Sequence, residues 1–193
     1  VYQYAGSLYI ADIVGANVTA FKGGVVAVYF ILIAIALELK PFPANGWALD
    51  LYQGAHPGLA ALVSAAFASA MVFVLYKLMP IAGTEWHSIF AIIGGVTFVG
   101  SNLLGIKQSS ARRLLGYSSV GQMGLLVMVI GLSHYLSNTF TLIAYGLLVS
   151  HYLAKAGLFW LSGIVEKDDL RNWSVLSKKP FLMVIFVTFI FAL

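Results

Sequence analysis

The sequence predicts an all-α membrane protein, a polytopic bundle of spanning helices with one broken helix, and three observations lead there. Of 193 residues, 61% are hydrophobic and only 9% charged, against about a quarter charged in soluble domains. Apolar stretches recur along the chain, each longer than a buried strand, and no stretch alternates apolar and polar residues in the way of a transmembrane barrel. At about 20 apolar residues per span, the length accommodates about six. Cysteine is absent, which removes disulfides, iron–sulfur ligation and thiolate metal sites and leaves four histidines as the strong transition-metal ligands. The net charge of +4 is what basic loops of a membrane protein produce, so the lipid bilayer is the implied partner and nucleic acid is not.

Residues 1–22, VYQYAGSLYIADIVGANVTAFK, are mixed and punctuated by glycine, and read as a loop with a short interfacial helix. The transmembrane bundle, 23–193, follows, with apolar stretches Gly23–Leu39, Pro57–Met79, Trp86–Ile106, Tyr117–His134 and Asn138–Val165, and a truncated one over 181–193. The chain opens at Val1 without an initiator methionine and closes inside an apolar run too short to span, so a fragment of a longer protein is expected.

Between the first two stretches, residues 40–56 contain Pro41, Pro43 and Gly46. Two prolines remove amide donors, and Lys40, preceding Pro41, is biased away from helical dihedrals, so the helix breaks here. The freed backbone groups cannot face lipid; they lie in water or inside a protein cavity. With the first stretch counted as one crossing, Lys107, Arg112, Arg113, Lys167, Arg171, Lys178 and Lys179 fall on one side and Lys22, Lys77 and Glu85 on the other. The basic side is expected to be cytoplasmic or matrix-like, with the turn around Lys107 to Arg113 meeting anionic headgroups.

Ionisable residues inside apolar stretches are the informative ones. Lys155 lies about ten residues from the end of its span, roughly 15 Å deep, where an ammonium costs about 3 kcal/mol on insertion scales. It therefore faces the bundle interior, water or a partner. His151 is one turn earlier on the same face. Burial favours a neutral amine and an approaching carboxylate favours an ammonium, so moving a counter-charge loads or unloads a proton, and a neighbouring imidazole passes it through either ring nitrogen. The alternative is a fixed ion pair at Lys155 and a hydrogen-bonded helix contact at His151. Glu38 and Lys40 form a second candidate pair, pointing to nearly opposite sides of a regular helix unless the break bends the chain. If the broken extension runs inside the membrane, both sit beside unwound backbone where ions are handled; if not, they are interfacial charges. Ser150, Asn102 and Gln122 are candidates for lining a hydrated path, although small polar residues more often bond across helices or to their own backbone. No dinucleotide or phosphate-binding loop and no nucleophile–base pattern is present, so nucleotide chemistry lies elsewhere.

Trp47 and Asp50-Leu-Tyr-Gln-Gly-Ala, with Pro-Phe upstream, resemble the broken-helix motif of the antiporter-like proton-translocating subunits of respiratory complex I. The stretch from Asn102 through Lys107-Gln to Arg112-Arg-Leu-Leu-Gly-Tyr-Ser-Ser-Val-Gly-Gln-Met-Gly resembles the same family's signature, and Ser150-His-Tyr-Leu-Ala-Lys-Ala-Gly-Leu-Phe and Asp169-Leu-Arg-Asn continue the similarity. The family also includes subunits of membrane-bound hydrogenases and multisubunit cation/proton antiporters. The resemblance implies an inverted-repeat antiporter-like fold in which buried charged residues relay protons, with Lys155 and His151 at the central, hydrated positions. Glu38 occupies the family's key lysine position with Lys40 two places later, the lysine of the next span is replaced near Ala68, and the signature's usual histidine is Gln122. Either Glu38 and Lys40 together replace the single lysine, or this member keeps a structural role. The family's earlier buried glutamate and the ionisable residue of its last broken helix fall outside the chain.

The expected function is thus a proton-translocating subunit of a complex I-like NADH:quinone oxidoreductase, with Lys155, His151, Glu38 and Lys40 as the relay. No redox centre is expected on this chain; quinone, flavin and iron–sulfur clusters belong to partner subunits of a respiratory or hydrogenase complex in an energy-coupling membrane, a bacterial or archaeal plasma membrane or an organellar inner membrane. A sodium/proton antiporter subunit, a hydrogenase subunit and, from another class, a passive structural membrane anchor are the alternatives.

Overall fold

The computed structural model describes all residues, 1–193, and is helical throughout, with no strand and one antiparallel bridge between Ser110 and Asp169. Short helical turns at Tyr2–Ala5, Ile10–Gly15 and Val18–Ala20 occupy the N-terminal stretch read as mostly loop. Helix α1 (Lys22–Glu38) precedes the break, and α2 (Gly46–Gly54) follows it. Then come α3 (Pro57–Ile81), α4 (Glu85–Gly105), α5 (Ala111–Gly131), α6 (Phe140–Val165) and α7 (Pro180–Phe191), with a 3-10 segment, Leu170–Lys178, between the last two. Four segments are long and apolar enough to cross a membrane: α3, α4, α5, and α6 together with the turn leading into it from Ser133. At 1.5 Å per residue even the 21-residue helices reach about 31 Å, the thickness of the hydrocarbon core.

Local sequence sets the boundaries. Helix α5 starts at Ala111, six residues before the apolar stretch, because the Ser110 hydroxyl accepts from the Arg113 amide (3.1 Å) and Asp168 accepts from the Arg112 amide (3.0 Å). A serine cap and a carboxylate at the positive helix end outweigh the polar character of the first turn. Arg112 and Arg113, expected in a headgroup-facing turn, are therefore helical. Arg113 reaches back to α2, donating to Asp50 (2.8 Å) and Gln53 (2.9 Å). The 3-10 segment is held to the same end by Trp173, whose indole donates to the Lys167 carbonyl (2.8 Å), and by burial of Trp173 and Leu176 beside Ala111 and Leu161. Pro57 and Pro180 each sit in the first turn of a helix, where the missing N–H costs nothing.

Helix α5 is the hub. Of its apolar window 72% is buried, against 28% for α4 and for α6. One side of it packs on Val28, Leu32, Ile35 and Leu39 of α1 and on Val72, Leu75 and Met79 of α3 through Met123, Leu126, Val127 and Ile130. Its other half meets Ala48, Leu49 and Tyr52 of α2, Ala60 and Ala61 of α3, and Leu158 and Phe159 of α6 through Leu115, Tyr117 and Val120. Because lipid is as apolar as these side chains, close approach rather than hydrophobic transfer holds spanning helices together. Glycines provide it along α4 and α5. A Cβ on Gly124 would stand 2.7 Å from the Phe98 amide nitrogen and 2.8 Å from the Gly94 carbonyl oxygen, and one on Gly131, two turns on, 2.6 Å from the His87 carbonyl oxygen.

Gly124→Ala is therefore expected to destabilise the protein by about 1–3 kcal/mol in denaturant titration, the usual cost of overpacking. Gly95→Ala, where a Cβ meets only the Met128 sulfur at 3.5 Å, should be close to neutral; equal losses would contradict the close α4–α5 contact. Removing the ion pair by Asp50→Asn should change stability by less than about 1 kcal/mol, since the Asp50 side chain is 71% exposed and that of Arg113 30%.

Candidate functional site

The break between α1 and α2 turns the chain inward. Leu39 ends the helix, and Lys40 takes a left-handed conformation (φ 61°) while its amide still donates to the Leu37 carbonyl (3.0 Å). For a non-glycine residue this conformation costs about 1–2 kcal/mol, and it redirects the side chain by far more than helical spacing from Glu38 allows. Lys40 is buried and Glu38 only half-buried, and no salt bridge joins them. The Lys40 Nζ has no hydrogen-bond partner and lies 5.6 Å from the centre of the Trp47 ring. The unwound backbone of Pro41 to Asn45 lies against α4: the Phe42 amide donates to Thr97 (3.0 Å), and the buried Asn45 amide group reaches Ser101 (3.4 Å). Gly46 opens α2, whose buried side carries Ala48, Leu49 and Tyr52.

On the far side of α5 lies a polar cluster within an apolar surround. Lys155 of α6 is fully buried, and its Nζ donates to the Ser118 hydroxyl of α5 (2.7 Å). His151, one turn earlier and also buried, meets the Ser64 carbonyl through Nε2 at 3.0 Å. A carbonyl only accepts, so Nε2 carries a hydrogen; Nδ1 is buried without a partner. Ser64 belongs to a π-helical stretch, Leu62–Phe67, inside α3. The change of hydrogen-bond register at such a turn frees backbone groups for outside partners, here the imidazole. The hydroxyls of Ser64 and Ser119 share a hydrogen bond of 2.7 Å. Consecutive serines of α5 thus serve two contacts, Ser118 the amine and Ser119 the α3 hydroxyl. The one ion pair in the protein is Arg113 with Asp50, so neither Lys155 nor Lys40 has a carboxylate within 4 Å. His151 lies within electrostatic reach of both lysines, and Lys40 within reach of Glu38.

Of the four expected relay residues, Lys40, His151 and Lys155 are buried and Glu38 is half-buried; Lys40 lies at the break with no hydrogen bond or ion pair to Glu38, and His151 and Lys155 share one polar cluster. Ser150, Asn102 and Gln122 are not brought to it. Ser150 donates to the Ala192 carbonyl, Asn102 to the Phe98 carbonyl of its own helix (2.7 Å) and Gln122 to the Leu193 carbonyl (2.8 Å). Sequence reasoning left Ser118, Ser119, Tyr52, Asn45 and Thr97 without a role. A serine in an apolar helix reads the same whether it faces lipid or core, and the signal that finds Ser118 and Ser119 is only their place on the helix with the most buried surface. No three His, Asp or Glu residues are grouped to hold a metal, and with no cysteine in the chain the residues present do not fit an iron–sulfur cluster.

The family model described as NADH:quinone oxidoreductase/Mrp antiporter, TM, matches residues 1–193. The chain is 30% identical over 205 residues to NADH-quinone oxidoreductase subunit N 2 of Hydrogenobaculum sp., covering 98% of this chain and 42% of that protein. It is 32% identical over 169 residues to the chloroplastic NAD(P)H-quinone oxidoreductase subunit 2 of Chlorokybus atmophyticus, covering 83% and 33%. The chain therefore spans less than half the length of these relatives. Its fold is shared by a chain of the Mrp complex from Dietzia sp. DQ12-45-1b (TM-score 0.75, 20% identity, 86% of this chain and 31% of that one). A chain of the membrane-bound sulfane sulfur reductase, an archaeal respiratory membrane complex, shares it too (TM-score 0.76, 23% identity, 89% and 37%). Broken helix, buried amine and whole-chain match agree: this chain belongs to the NADH:quinone oxidoreductase/Mrp antiporter family of transmembrane proteins.

Proposed function

We propose that the chain is the proton-conducting part of a membrane subunit of a complex I-like NADH:quinone oxidoreductase, in which Lys155 holds and releases protons in step with redox chemistry on partner subunits. The observation that carries this reading is the setting of Lys155. Its amine lies about 15 Å inside the last residue of α6, fully buried, with a serine hydroxyl as its hydrogen-bond partner and no carboxylate beside it. A structural ion pair needs a counter-charge, and none is within reach. A proton carrier needs an amine whose charge is settled by something that moves, and a lone serine contact leaves that choice open.

His151 shares the helix face and the buried cluster, and its unpartnered Nδ1 is a free site for a second proton. Lys40, buried with an unpartnered Nζ beside the break, is the second amine, and Glu38 supplies the nearby negative charge. Protons would pass between these groups through hydroxyls and water, the broken segment Pro41 to Gly46 lending backbone that hydrates without unfolding a helix. The partner subunits would carry flavin, iron–sulfur clusters and quinone. The relatives' names support the NADH-linked form of this reading, and the arginines at the start of α5 and the Lys and Arg residues of the 3-10 segment support a cytoplasmic or matrix-like side for those loops.

The test uses the complete complex reconstituted in vesicles, driven by NADH and quinone. Lys155→Met should leave the subunit assembled and lower proton translocation by about tenfold or more, the scale of losing a positioned proton-transfer group. Lys155→Arg should not restore it, because a guanidinium keeps its proton at any working pH. Normal pumping by Lys155→Met overturns the assignment; proton movement driven by a sodium gradient without NADH replaces it with the antiporter form.

A further inference from the structure

One fully buried side chain lies outside the relay of Lys40, His151 and Lys155. Tyr52 of α2 has no exposed surface, and its hydroxyl, also buried, satisfies no hydrogen bond. An unsatisfied buried hydroxyl costs about 1–3 kcal/mol, so a phenylalanine would be the better packing choice if the ring alone mattered. The hydroxyl lies beside the Ser119 and Ser64 hydroxyls, which already bond each other at 2.7 Å, and within electrostatic reach of Glu38. Ser64 in turn presents its carbonyl to His151. The ring is seated against Phe159 at 5.4 Å between centroids and against Gly116, where a Cβ would stand 2.9 Å from Tyr52 Cδ2. The seat is built by close packing, while the polar end is left free.

We infer that Tyr52 is a proton-relay residue joining the Lys40 side to the His151 and Lys155 side through the hydroxyls of Ser119 and Ser64. A hydroxyl accepts a proton on a lone pair and donates its own. A proton released from the Lys40 ammonium to a water molecule passes to the Tyr52 oxygen as Tyr52 hands its hydrogen to Ser119 or Ser64. Each hydroxyl ends as it began, reoriented, and no charge rests on the ring. The receiving end is His151 Nδ1 or the Lys155 amine, reached through water and the serine pair. Transfer stops whenever the phenol O–H rotates away from the serines, which makes the free hydroxyl a point of control as well as passage. The role rests on the proton-translocation reading above.

The experiment compares Tyr52→Phe with Lys155→Met in the complete complex, reconstituted in vesicles and driven by NADH and quinone, reading protons moved per NADH oxidised in H2O and in D2O. Tyr52→Phe should lower that ratio about threefold or more and make the residual pumping more sensitive to D2O, because the interrupted hop becomes rate-limiting; loosened packing alone leaves the isotope ratio unchanged. The Ser64→Ala, Ser119→Ala double variant cuts the same chain without touching the ring and should give the same loss, which keeps the test decisive if Tyr52→Phe fails to assemble. Wild-type pumping by Tyr52→Phe or by the serine variant, with Lys155→Met impaired, overturns the role of Tyr52 and leaves the reading of Lys155 standing. Wild-type pumping by all of them overturns both.

Discussion

The fold keeps one amine, that of Lys155 on α6, fully buried with the Ser118 hydroxyl as its hydrogen-bond partner and no carboxylate within 4 Å. In lipid that arrangement is unstable, so every neighbouring element is arranged to keep it from lipid. Helix α5, which carries Ser118, is the most buried of the spanning helices and packs on α2, α3 and α6. The π-helical turn of α3 exposes a carbonyl to His151 where a regular helix would keep it for itself. The glycines along α4 and α5 let those two helices approach closely, and Thr97 of α4 accepts from the Phe42 amide of the unwound segment.

The break works by a similar economy. A left-handed Lys40 costs about 1–2 kcal/mol, yet it lets one residue end a helix, turn inward and bury its amine beside Trp47 while Glu38 stays half-buried. Thr97 and Ser101 on α4 then hold the segment by side-chain hydrogen bonds rather than by backbone ladders. At the start of α5 the logic differs: Ser110 and Asp168 cap the helix, and Arg113 ties it to α2.

How much of this was legible in the sequence follows from which forces leave a local trace. Composition and the length of apolar runs declare a helical membrane bundle, and prolines declare the break, since both act through the residue itself. Lys155 and His151 stand out because ionisable groups are expensive in an apolar run. The inward turn of Lys40 was legible only in part: Pro41 biases it away from helical dihedrals, but nothing local marks the left-handed conformation it adopts. The contacts of Ser118, Ser119 and Tyr52 were not legible, because a serine in α5 or a tyrosine in α2 carries no local mark of which face meets a partner helix. Ser150, Asn102 and Gln122 looked equally suited to line a path, but each spends its polar group on a backbone carbonyl elsewhere. The helix start at Ala111 was hidden by the polar first turn, whose capping partner Asp168 is distant in sequence.

The central claim is that the two buried amines communicate through internal water and hydroxyls rather than sitting sealed in apolar packing. A density map of the assembled complex in a bilayer mimetic, resolved well enough to show ordered water, tests it directly. Water molecules at hydrogen-bonding distance, about 3 Å, linking Lys155 and His151 to the Tyr52 hydroxyl and onward to Lys40 are the predicted result. A dry interior, with side chains in van der Waals contact closing the space between Lys40 and His151, would contradict it.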